Sequence, residues 1–92
     1  MVPLDWTHLR YVLAVARTGG YSDAGRHLNV DPAVVAKRIR AIESASHLKL
    51  FERTPDGQLR PTKASKAIIA RAEIVESQLI SLSDVVKGLD AS

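Results

Sequence analysis

Thirteen Lys and Arg side chains, ten carboxylates and three histidines are the groups in this 92-residue sequence best suited to chemistry. His8, His27 and His47 stand 19 and 20 residues apart, so no two share a helical face at ligand spacing. Cysteine is absent, which removes thiolate ligands, redox pairs and disulfides. No serine has a histidine and an acid placed to single it out as a nucleophile. The residues therefore predict no metal, no cofactor and no enzyme. The cations predict more. Arg26, Lys37, Arg38, Arg40, Lys49, Arg53, Arg60, Lys63 and Lys66 crowd residues 26–66 against Asp31, Glu43, Glu52 and Asp56, a local net charge of +5. Residues 1–25 balance at zero and residues 67–92 come to −2. A basic middle between a neutral front and an acidic end points to a localised polyanion-binding face.

Those cations need elements to gather them on one surface. Asp5 caps a first helix striped by Trp6, Leu9, Leu13 and Ala16, which Gly19-Gly20 stops. Ser22 is expected to cap a short second helix over 23–28, with Gly25 marking a close backbone approach. Asp31-Pro32 is the strongest local signal: a capping carboxylate, then a proline whose fixed φ suits the first helical turn. The helix it opens buries Val35, Ile39 and Ile42, and its other face is expected to show Ala33, Ala36, Lys37 and Arg40. Two helices so close together suit a steep crossing. Residues 48–53 and 58–60 read as a hairpin around Pro55-Asp56-Gly57. Thr62 caps a final long helix whose Ile68, Ala72, Val75, Leu79, Leu82, Val86 and Leu89 repeat as a heptad seam. Its early residues, Ile68 and Ile69, are expected to pack on the body. Trp6, Tyr11, Tyr21 and Phe51 sit in apolar registers and belong to the core rather than to base-stacking platforms.

The predicted fold class is mainly α: a winged helix-turn-helix, with three helices and a two-stranded wing over residues 1–61, then a linker and dimerisation helix over 62–92. In such a fold the second helix of the pair enters the DNA major groove by its N-terminal end. Pro32, Ala33, Ala36 and Lys37 occupy that end. Lys37, Arg38 and Arg40 can meet phosphates, as can the free amides of the helix starts. Small side chains at 33 and 36 permit close approach but no bidentate reading of a base, which leaves Lys37 as the main polar base contact. The competing reading of Lys37 and Arg40 is a solvated helix face, and that of Arg53 is pairing with Glu52 or Asp56. At 46% hydrophobic and 25% charged, the composition is that of one globular domain. No run approaches 18 apolar residues and no signal segment is visible at Met1 to Asp5, so the cytoplasm is the expected compartment.

In order and spacing these residues resemble the DNA-binding domain of LysR-type transcriptional regulators, from Leu4 to about Ser83. Leu9-Arg10-Tyr11 with Val15-Ala16 resembles the family's first helix, and Gly20-Tyr21-Ser22 with Ala24 and Leu28 its second. The run from Val30 to Ile39, closed by Ile42-Glu43, is similar to the recognition-helix motif. Leu50-Phe51-Glu52-Arg53, Gly57, Thr62 and Ala64 follow the wing and the opening of the linker helix. The sequence departs from the usual pattern at Gly25, Ala36, Lys37 and Ser65, where alanine, serine, arginine and glycine are common. The resemblance implies DNA contacts from Ser22, Pro32, Ala33, Ala36, Lys37, Arg40, Arg53 and Thr62. With the seam it implies a homodimer joined through Val75, Leu79, Leu82 and Val86 of antiparallel long helices, bound to an interrupted palindrome with each wing near a minor groove. Family members continue into an effector-binding domain, so the chain reads as an excised front piece, with a naturally short relative as the alternative. Two other classes compete: a winged-helix protein-interaction module and a nucleoid-type binder without sequence preference.

Overall fold

Asp5 opens the first helix as its spacing predicts, its carboxylate accepting the His8 amide at 2.9 Å. In the computed structural model, which describes residues 5–91, six elements follow. They are α1 (Trp6–Thr18), α2 (Tyr21–Leu28), α3 (Pro32–Ser46), β1 (Phe51–Arg53), β2 (Leu59–Pro61) and α4 (Lys63–Ala91). The reading of Met1 to Leu4 as free of a signal segment lies outside the described residues. Helix α1 ends at Gly19 in the left-handed region, φ 82°, where a side chain would be strained. Helix α2 starts differently from the sequence reading. Gly20 is its N-cap, no side chain caps it, and Ser22 lies one residue inside the helix with its side chain exposed. Gly20, in extended backbone, hands over directly to a helix that begins at Tyr21, which moves the capping position off serine.

Helices α1, α2 and α3 close around Val12, Val15, Ala24, Val35, Ile39 and Ile42, joined by Leu50, Phe51 and Leu59 from the hairpin. Tyr11 and Phe51 are core residues as expected, whereas Trp6 and Tyr21 are only half-buried. Gly25 is where the α2–α3 turn comes closest to α2, as the sequence predicts. A Cβ there would stand 2.7 Å from the Val30 carbonyl oxygen and 3.3 Å from the Pro32 nitrogen. The hairpin is shorter than expected in its first strand and shifted by one residue in its second. Leu48 is exposed and unpaired in the ladder, while Phe51, Glu52 and Arg53 face Pro61, Arg60 and Leu59. Pro61 sits at the end of an edge strand, where its missing amide costs no ladder bond.

Two contacts dock the first half of α4. Ile68 and Ile69 pack against the core and Ala72 is buried. Beyond them the Arg17 guanidinium grips Glu76 at 2.7 and 3.0 Å, with Glu73 at 3.8 Å. That guanidinium holds the Glu76 carboxyl below its ordinary range. From Ile80 to Asp90 every residue is exposed. The helix thus projects from the body and sets the molecule's longest extent, 53 Å against 28 and 19 Å.

Candidate nucleic-acid interface

The exposed start of α3 is built from its own first turn. Asp31 accepts the Ala33 amide at 2.8 Å and Pro32 occupies the first helical turn without losing a hydrogen bond. Val35, Ile39 and Ile42 turn inward, so Pro32, Ala33, Lys37 and Arg40 are presented outward. Ala36 departs from expectation. It is only 9% exposed, because its position borders the buried Val35–Ile39 stripe rather than the centre of the open face. Arg38 is drawn aside too: its guanidinium lies 5.6 Å from the centre of the Tyr11 ring, over α1. Arg26 is paired with Asp23 one turn away.

Tyr21 is half-buried against the core. Burial raises its phenol above the ordinary value and Glu43 adds to the shift, while Arg40 and Arg53 oppose it. Among the described residues Arg53 does not bridge to a carboxylate; it donates to the Gly57 carbonyl at 2.9 Å, and Arg60 is the residue that approaches Glu52, at 4.0 Å. The wing tip is held by Thr54, whose amide donates to the Gln58 carbonyl at 2.8 Å and whose hydroxyl meets Asp56. That hydroxyl lowers the Asp56 carboxyl from its ordinary value.

Three ties that local sequence patterns do not reveal fix the wing in place. The Leu59 amide donates to the Gly19 carbonyl at 2.8 Å, joining wing to α1. The Leu50 amide donates to Glu43 at 2.7 Å, joining it to the end of α3. Ser65, fully buried, donates to the Leu50 carbonyl at 2.7 Å. Thr62 belongs with these. Its hydroxyl donates to the Lys49 carbonyl at 2.6 Å and accepts the Ser65 amide at 3.3 Å. It caps α4 as expected, and its hydroxyl proton is directed to the Lys49 carbonyl. Ser22, Pro32, Ala33, Lys37, Arg40 and Arg53 remain exposed. Among the described residues no helix is long and apolar enough to cross a membrane.

A helix pair joined by a close turn, an outward α3 and a two-stranded hairpin define a winged helix-turn-helix domain. Residues 6–66 match the bacterial regulatory helix-turn-helix proteins of the lysR family, and the chain belongs to that family. An uncharacterized HTH-type transcriptional regulator from the ibpB-leuC intergenic region of Azotobacter vinelandii is 37% identical over 76 residues, 83% of this chain and 52% of that protein. The mau operon transcriptional activator of Paracoccus denitrificans is 33% identical over 73 residues, 79% of this chain and 25% of the relative. The chain thus spans about half the length of the first relative and a quarter of the second. Among solved structures, a BenM DNA-binding domain on catB site 1 DNA superimposes with a TM-score of 0.86 at 19% identity, covering 97% of this chain and 99% of that one. A CbnR DNA-binding domain in complex with DNA gives 0.78 at 23% identity, covering 94% and 98%. Both share the fold.

Proposed function

We propose that this chain recognises double-stranded DNA sequence-specifically, as the DNA-contacting part of a cytoplasmic transcription regulator and not as an enzyme. The observation that carries the reading is the exposed α3 face of Pro32, Ala33, Lys37 and Arg40, opened by a capped helix start and flanked by Arg53 on the wing. In this reading α3 enters the major groove, with Ala33 against a thymine methyl and Lys37 at a base edge. Ala36, set inward, permits close approach instead of making the contact. Ser22 and the uncapped amides of α2 meet a phosphate, Arg40 a second, and the wing with Arg53 follows an adjacent minor groove. Residues 1–61 form the reading unit and residues 62–92 the part that pairs with a second copy. Val75, Leu82 and Val86, exposed in the single chain, support that division. Two copies would set their α3 helices on the halves of an interrupted palindrome.

Selection of bound sites from a random duplex pool tests this directly. A recovered palindrome with a defined gap is the expected result. Binding that falls steeply with salt but enriches no sequence would favour a nucleoid-type binder, a reading that the lack of Asn, Gln or Arg at the start of α3 keeps in play. Absence of any salt-sensitive duplex binding would leave a protein-interaction module.

A further inference from the structure

The C-terminal turn of α1 is a junction. Its Gly19 carbonyl holds the wing through Leu59, and two residues earlier Arg17 holds α4 through Glu76. The second bond pair is the directional part of the α1–α4 contact. Ile68, Ile69 and Ala72 pack by apolar contact, which has little orientational preference. A guanidinium fork on a carboxylate fixes both partners in a plane. Glu76 is also placed to matter: apart from half-buried Leu79, every residue after it through Asp90 is exposed. From Glu76 to Ala91 the helix runs about 22 Å at 1.5 Å per residue. A tilt of about 10° at the clamp therefore moves the far end by about 4 Å, close to one base-pair step.

We propose that Arg17, acting on Glu76, sets the direction in which α4 leaves the winged body and so determines the half-site spacing that the dimer accepts. It is a positioning residue that touches no DNA. The inference rests on the proposed pairing of two copies through α4.

The test uses the whole 92-residue chain on duplexes that share one half-site, either alone or paired across gaps differing by one to three base pairs. The parent chain prefers one gap. Arg17→Ala and Glu76→Gln each reduce that preference about two- to fivefold, the range a half-exposed ion pair can supply, and leave single half-site affinity unchanged. Exchanging the charges, Arg17→Glu with Glu76→Arg, restores a gap preference. Gap profiles of Arg17→Ala and Glu76→Gln that superimpose on the parent's would overturn the proposal while leaving the dimer intact. Equal losses on single and paired sites would also overturn it, because they report damage to the reading unit. A parent chain indifferent to the gap would sink the dimeric reading, and the clamp's role with it.

Discussion

In the proposed reading Lys37 is the exposed polar side chain near the start of α3 left to meet a base edge, since Asp31 is occupied by capping and Arg38 lies over Tyr11. If Lys37 reads a base, Lys37→Ala costs about 1–3 kcal/mol and relaxes preference at one position of each half-site. If it meets only phosphate, every sequence weakens alike and the salt slope falls by about one per contact. Titrations against cognate and single-substituted duplexes at several salt concentrations separate the two. Gly25 offers a second test at this scale. Alanine there gains about 1 kcal/mol of helix propensity, but its methyl meets the Val30 carbonyl, and such overpacking costs about 1–3 kcal/mol. Backbone cannot swing aside as a flexible side chain can. Gly25→Ala should therefore lower the unfolding midpoint in urea; a raised midpoint would show that the α2–α3 turn relaxes freely.

Among the elements, the wing buries only Phe51 and Leu59 from its strands and relies on ties to its neighbours. Two three-residue strands are too short to stand alone, so bonds from Gly19, Glu43 and Ser65 give the hairpin its orientation. Ser65→Ala removes the buried hydroxyl bond to Leu50. The Leu50 carbonyl keeps the Thr62 amide at 3.0 Å, so it is not left unpaired. The expected loss is about 1 kcal/mol of stability, read by denaturant unfolding, with the fold retained. A loss above about 3 kcal/mol would mean that the serine supports more than this one bond. The α3 face itself should survive, because Asp31 and Pro32 form it locally.

At the scale of the molecule, α4 leaves a long apolar surface in water. Leu82 and Val86 are 57% and 56% exposed, and Val85 and Ile80 are comparable. Exposure on this scale along one helix marks an interaction surface. Leu79 is half-buried, so Leu82→Glu with Val86→Glu is the cleaner disruption. That variant should be folded, sediment as a monomer, and bind a paired site little better than a single half-site. A variant that still sediments as a dimer would remove α4 from the interface. The charge layout fits the proposed pairing: residues 26–66 carry a net +5 and residues 67–92 a net −2, so pairing through α4 would join the less basic parts of two copies and leave the basic ones for DNA.

What the sequence determined by itself is what one or two helical turns can encode. The caps at Asp5 and Asp31, the stop at Gly19, the inward stripe of α3, the turn at Gly57 and the seam of α4 all depend on neighbours within a few residues. Order and spacing of those signals were enough to place the fold and the outward α3 face. Tertiary structure decided what each side chain is free to do. Ala36 turned inward because it borders the buried Val35–Ile39 stripe, and how far such a stripe spreads is set by what packs on the helix and not by the helical period alone. Thr62 surrendered its proton to Lys49, Glu43 took the Leu50 amide, and Arg17 took Glu76, partners 13, 7 and 59 residues away. Periodicity carries no information about such pairs, because a hydrogen bond depends on distance in space and the chain's return path is fixed only when the core closes.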